Sequence, residues 1–176
     1  GLLPEEAWPT QVTKSGTEEI SLGFEKGELQ SVNDNTFIHP VEAIQYLQSI
    51  AGPYGIGRDI HVGDTIIGIK GRVGFEAAAP MLILKAHHAL EKHVLTKWQL
   101  QWKDTLAQFY GNWMHEGQIL DPVMRDIEAF LQNSQQNVSG KVFIQLMPYR
   151  FQVAGIESPF DLMNSKFGKY GEMNTG

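Results

Sequence analysis

The residues best suited to chemistry lie in one stretch, 56–80, which reads IGRDIHVGDTIIGIKGRVGFEAAAP. Lys70, Arg72 and Glu76 supply charges of both signs that can line a groove for a small charged metabolite. Glycines at 57, 63, 68, 71 and 74 allow a ligand close to the backbone, yet build a core poorly, because each costs backbone entropy and adds no side chain. A solvated sheet edge has the same composition. The residue types alone leave those two readings level.

Other clusters point less clearly to chemistry. Gly52, Gly55, Gly57 and Arg58 have neither the GxGxxG nor the GxxxxGK[ST] order of a phosphate loop, and they follow a helix pattern, so they read as a turn. His87, His88 and His93 share a helix, but His88 and His93 are off the i, i+4 spacing at which two imidazoles meet one metal. Trp98, Trp102 and Phe109 recur at helical spacing, which suits a core or a subunit interface. Asn137-Val138-Ser139 matches a glycosylation pattern without a secretion signal to give it meaning. No GxSxG nucleophile elbow is present.

At 176 residues, 42% hydrophobic and 19% charged, the chain suits one globular domain over residues 1–176. A net charge of -6 argues against nucleic acid as a partner, and no apolar run reaches a bilayer-spanning length. The absence of cysteine fits a reducing, cytoplasmic setting. Gly1 in place of a methionine, and the end at Asn174-Thr175-Gly176, read as cuts from a larger protein.

These groups need elements to hold them. Residues 1–15 read as an extended lead-in. Ile20, Leu22 and Phe24 alternate before a Lys26-Gly27 turn, with Leu29 and Val32 beyond it, which predicts a hairpin over 18–32. Val41, Ile44, Leu47 and Ile50 form a helical stripe ended by Gly52-Pro53. Ile60 and Val62, then Ile67 and Ile69, predict two short strands around Gly63-Asp64. Residues 80–110 read as helical with a break near Thr96, and 122–132 as a helix capped by Asp121. Residues 141–147 and 151–154 predict a second hairpin, and Ser158-Pro159 opens a short helix. The order implies an α+β fold, an antiparallel or mixed sheet with helices packed on it.

The stretch GIGRDIHVGDTIIGIKGRVGFEAAAP, followed by LILKAHHALEKHVL, resembles the synthetase domain of the argininosuccinate synthase family. That family reads G-[IV]-G-R-x-D-x-V-E-N-R-x-[IV]-G-x-K-S-R-G-x-Y-E-T-P and then H-A-H-L-x-L-E. Residues 137–142 and 155–159 resemble its V-x-G-x-V and G-R-E-S-P, with Ile156 in place of the arginine, and the hairpin at 20–32 resembles its L-x-F-x-x-G strand pair. The resemblance implies an enzyme that joins citrulline to aspartate with ATP and Mg2+, releasing AMP and pyrophosphate. It also implies a homotetramer, and an N-terminal ATP-binding domain with a pyrophosphate loop that this chain lacks. On that reading the chain is a substrate-binding and oligomerisation domain, inactive alone, with the family's C-terminal tail lying beyond Gly176.

Carried over position by position, the family's pocket glutamate falls on Gly63 and its pocket tyrosine on Phe75. Neither residue can make the polar contact its counterpart would. Asp64 is one position from the lost carboxylate, and Lys70, Arg72 and Glu76 match the pattern. Loss of a carboxylate suits a substrate whose amine is blocked, such as an N-acylated citrulline. The alternative class is a stand-alone oligomerisation or metabolite-binding module that reuses the domain.

Overall fold

The computed structural model describes residues 3–64 and 67–164. Strands β1 (Glu18–Glu25), β2 (Glu28–Val32), β3 (Asn35–Thr36), β6 (Gly140–Met147) and β7 (Arg150–Glu157) form one sheet. Its order is β3-β2-β1-β6-β7, and every neighbouring pair is antiparallel. Among the described residues, strands β4 (Arg58–Asp64) and β5 (Lys70–Glu76) pair only with each other. Four helices complete the fold: α1 (Pro40–Ala51), α2 (Ala78–Val94), α3 (Lys97–His115) and α4 (Pro122–Ser134). The α+β reading holds, with the sheet antiparallel throughout.

Alternation decides which sheet face is buried. Ile20, Leu22 and Phe24 of β1 and Val142, Ile144 and Leu146 of β6 pack against Leu47 of α1 and Leu82, Ala86 and Leu90 of α2. Each fully buried Leu or Ile here contributes about 1.5–3 kcal/mol. The β1–β2 turn lies at Lys26 and Gly27, both with positive φ, as the right-handed twist of a two-residue hairpin requires. Thr96 breaks the long helical run as expected. Its hydroxyl accepts from the Gln99 N–H while the Gln99 side chain accepts from the Thr96 N–H, a reciprocal cap that starts α3.

Several expectations need correction. The turn of the glycine-rich stretch is not at Gly63-Asp64. Glycine tolerates extended backbone, so β4 runs through both residues, and the chain reverses between Asp64 and Lys70 with Gly68 at φ +80°. Ile67 and Ile69 belong to that connection and are exposed. In α1 the buried line is Ala43, Leu47 and Ala51, at spacing four, and Val41 and Ile44 face outward. A spacing of three drifts off one face of a 3.6-residue helix over such a length. No α3 residue is buried, so its aromatics are not core. The helix expected after Ser158-Pro159 is a single 3-10 turn at Leu162–Asn164.

A buried polar cluster joins α2 to the α3–α4 pair. Glu91 is fully buried and accepts from Lys103 Nζ at 2.7 Å and from Gln135 Nε2 at 2.8 Å. With the Gln135 amide so oriented, its Oε1 accepts from His87 Nε2–H at 2.8 Å. Burial lowers the His87 pKa from its ordinary value, opposed chiefly by Glu91 and by the Gln135 bond, and assisted by Lys103 and His88. An unfolded His87 takes its proton near pH 6.5 while the folded one stays neutral to lower pH. This group's contribution is therefore complete above about pH 6.5 and is lost as pH falls towards the folded pKa. Urea midpoints measured on either side of pH 6.5 should drop less for His87→Gln than for the parent chain. An equal drop would show that His87 does not set this slope.

Candidate functional site

The β4–β5 hairpin positions every residue expected at the site. Its register pairs Arg58 with Glu76, Asp59 with Phe75, Ile60 with Gly74, His61 with Val73, Val62 with Arg72, Gly63 with Gly71 and Asp64 with Lys70. Strand alternation divides these positions between two faces. Gly63 and Phe75 share one face with His61. Asp64, Lys70, Arg72 and Glu76 occupy the alternate positions. The hairpin thus puts the two residues that depart from the family pattern on one face, four register positions apart, with the four charged ones at alternate positions.

A cavity of about 550 Å3 lies against the hairpin, lined by His61, Val62, Gly63, Lys70, Gly71, Val73 and His115. His115 comes from the C-terminal end of α3. Above Gly63 the space is taken: a Cβ built there would lie 2.7 Å from His61 Nε2. Phe75 is part-exposed and offers ring area without a hydroxyl. Lys70 and Arg72 are exposed. Glu76 does not face open solvent. Its side chain is 3% exposed, lies 3.5 Å from Arg58 Nε and accepts from the Thr10 N–H at 3.4 Å. A larger groove of about 660 Å3 crosses the sheet near Gly23, Ser31, Lys141 and Glu157, and holds none of the expected site residues.

Sequence reasoning passed over His61 and Arg58. The signal for His61 was its position two residues before Gly63, which puts the imidazole on the glycine's own face. Arg58 was read as part of a turn, and its partners Glu5, Trp8 and Thr10 are too far away in sequence to be found by spacing.

The turn at Gly52–Gly57 does not fit a phosphate loop. The turn at Gly52–Tyr54 uses its polar backbone internally: Gly55 N–H donates to Gly52 C=O, and Tyr54 C=O accepts from Tyr149 N–H. Gly57 C=O accepts from Ala77 N–H, and the Arg58 guanidinium is already engaged with Glu5. Among the described residues no three His, Asp or Glu side chains converge as a metal site would need. The imidazoles of α2 have protein neighbours instead: His88 Nδ1 lies 3.6 Å from Glu91 and His93 Nδ1 3.3 Å from Asp161. No helix among the described residues is long and apolar enough to cross a membrane.

The architecture is an α+β domain that presents a glycine-rich hairpin as an open wall. The chain belongs to the argininosuccinate synthase C-terminal domain family, whose model, described as "Arginosuccinate synthase C-terminal domain", matches residues 5–175. It is 36% identical over 169 residues to an argininosuccinate synthase of Xanthomonas campestris pv. campestris, covering 96% of this chain and 41% of that protein. It is 37% identical over 159 residues to one from Dictyoglomus thermophilum, covering 89% of this chain and 39% of that protein. A third, from Methanocaldococcus jannaschii, is 34% identical over 172 residues, with 96% and 43% covered. The chain thus spans about two fifths of the length of the curated relatives it matches.

Proposed function

We propose that this chain is the substrate-binding and oligomerisation part of a cytoplasmic ligase that condenses citrulline, or a derivative of it, with aspartate. ATP and Mg2+ are held by a nucleotide-binding domain outside this chain. The family match across residues 5–175 carries this reading. The half-open cavity on the hairpin fits a pocket closed by another part of the protein. Assembly into a homotetramer is supported by α3, which buries none of its own residues and exposes Trp98, Trp102 and Phe109.

One observation favours a more specific acceptor. Where the family pattern has a carboxylate, this chain has Gly63 with the His61 ring above it, and Phe75 replaces a phenol. A free ammonium buried at this wall would lose its charged partner, whereas an amide would meet an imidazole that can donate or accept. The acceptor is therefore a citrulline with its amine acylated. Steady-state kinetics of the full-length protein on citrulline and N-acetylcitrulline test this. The expected ratio of kcat/KM favours the acyl form by about tenfold or more, ~1.4 kcal/mol. Gly63→Glu should recover some activity on free citrulline, because the group in its way is the tip of the exposed His61 ring, which can rotate aside. Adding His61→Ala should recover more. A preference of the parent enzyme for free citrulline would end the acyl reading.

A further inference from the structure

We propose that Arg58 is a positioning residue: it ties residues 3–10 across the base of the β4–β5 hairpin and so fixes the pose of the wall that carries Gly63 and Phe75. The inference rests on the pocket reading above, but its geometry does not. The Arg58 side chain is 8% exposed, and its Nη1 donates to both Glu5 carboxylate oxygens at 2.9 Å. Nη2 donates to the Thr10 carbonyl. Nε lies 3.5 Å from Glu76 Oε2 without forming a hydrogen bond. The guanidinium carbon stands 5.1 Å from the Trp8 ring centroid and 6.0 Å from that of Tyr149. One cation thus joins the lead-in segment, both hairpin strands and the β6–β7 turn.

The same segment touches the hairpin a second time. Leu3 occupies the place that a Cβ on Gly74 would take, with Trp8 behind it. Further along, the Thr13 and Lys14 N–H groups both donate to Pro53 C=O, at 3.0 and 3.1 Å, which anchors the far end of the strap beside α1. The hairpin needs such help. It joins no other strand among the described residues, and Val62, Ile69 and Val73 are exposed. A two-stranded hairpin alone is marginal in water. Arginine suits the task because one planar group bonds two carboxylate oxygens while stacking on an aromatic ring, which lysine cannot do.

The test compares backbone amide exchange at Asp59, His61, Val73 and Phe75, whose pairs carry the ladder bonds, in the parent chain and in Arg58→Ala, Arg58→Lys and Glu5→Gln. Glu5 is exposed, so its variant leaves the core intact. Exchange at the hairpin should quicken by about tenfold in Arg58→Ala and by less in Arg58→Lys and Glu5→Gln, with β1 and β6 unchanged. Unchanged hairpin exchange in both Arg58→Lys and Glu5→Gln would overturn the proposal. In the full-length enzyme the same variants should raise KM for the citrulline-type acceptor by severalfold with kcat less affected, and Arg58→Lys should rescue part of the loss. If the hairpin loosens and that KM does not move, Arg58 still positions the hairpin and the pocket reading is what fails.

Discussion

Gly57→Ala is expected to cost about 4 kcal/mol of folding stability. Two effects combine. Gly57 has φ +82°, a conformation that by itself costs an L-residue about 1–2 kcal/mol. The new Cβ would also sit 2.5 Å from the Ala77 carbonyl carbon and 2.6 Å from Ala78 Cα, which is backbone and cannot rotate away. The chain is held there because Ala77 N–H donates to Gly57 C=O at 2.9 Å, closing the hairpin root against the first turn of α2. Gly117→Ala is the matched control: its φ is +76° with nothing within 4 Å of the new methyl, so only the conformational cost of about 1–2 kcal/mol applies. Urea unfolding of the two variants separates the effects. Equal losses would mean that the backbone approach at Gly57 is not the constraint.

That glycine also shows what the sequence could and could not reveal. The core was legible where strands of the main sheet alternate: Ile20, Leu22 and Phe24, or Val142, Ile144 and Leu146, are buried as alternation requires. Helix ends were legible where a side chain does the capping, as at Thr96 and Asp121. The density of glycine in residues 56–80 was visible, but its causes differ by position. Gly57 admits backbone, Gly63 admits an imidazole and Gly74 admits Leu3. Composition cannot separate these, because each depends on which distant group arrives. The hairpin turn was misplaced for a related reason: glycine marks reversals, yet Gly63 stays extended within β4. Of the candidate site, Gly63 and Phe75 were found through the family pattern. Glu76 matched the same pattern, but its carboxylate is engaged with Arg58 and Thr10, partners that no local spacing predicts.

The division of the hairpin into two faces reshapes the functional argument. Arg58 and Glu76 are engaged in holding the hairpin down, while Lys70 and Arg72 on the same face are exposed; Gly63 and Phe75 lie on the opposite face. There the polar groups are Asp59, paired with Phe75, and His61, with His115 across the cavity. At Gly63 itself an imidazole stands where the family pattern has a carboxylate, and the acyl-acceptor reading proposed above rests on that exchange.

Lys103→Met should destabilise the chain by about 3 kcal/mol, while the double variant Glu91→Leu with Lys103→Met should recover most of that loss. Glu91 is fully buried, and Lys103, 17% exposed, is 2.7 Å from its Oε2. Removing the lysine leaves a carboxylate in a dry site with only Gln135 donating at short range, and such an uncompensated charge costs far more than the pair contributes. Removing both charges and filling the space with apolar groups avoids that penalty. A double-mutant cycle followed by urea unfolding measures the coupling. A Lys103→Met loss below about 1 kcal/mol would show that the pair is solvated and the cluster unimportant. The pair also bears on the pose of α3. Because α3 buries no residue of its own, its orientation depends on Lys103 gripping Glu91 on α2, on Leu100 packing against the core and on α4 alongside. The row of Trp98, Trp102 and Phe109 is therefore aimed partly by an ion pair, whose geometry is directional, rather than by a greasy contact that tolerates sliding. Cutting the pair should loosen α3 before the sheet, so amide exchange in α3 should rise at denaturant concentrations where β1 and β6 are still fully protected.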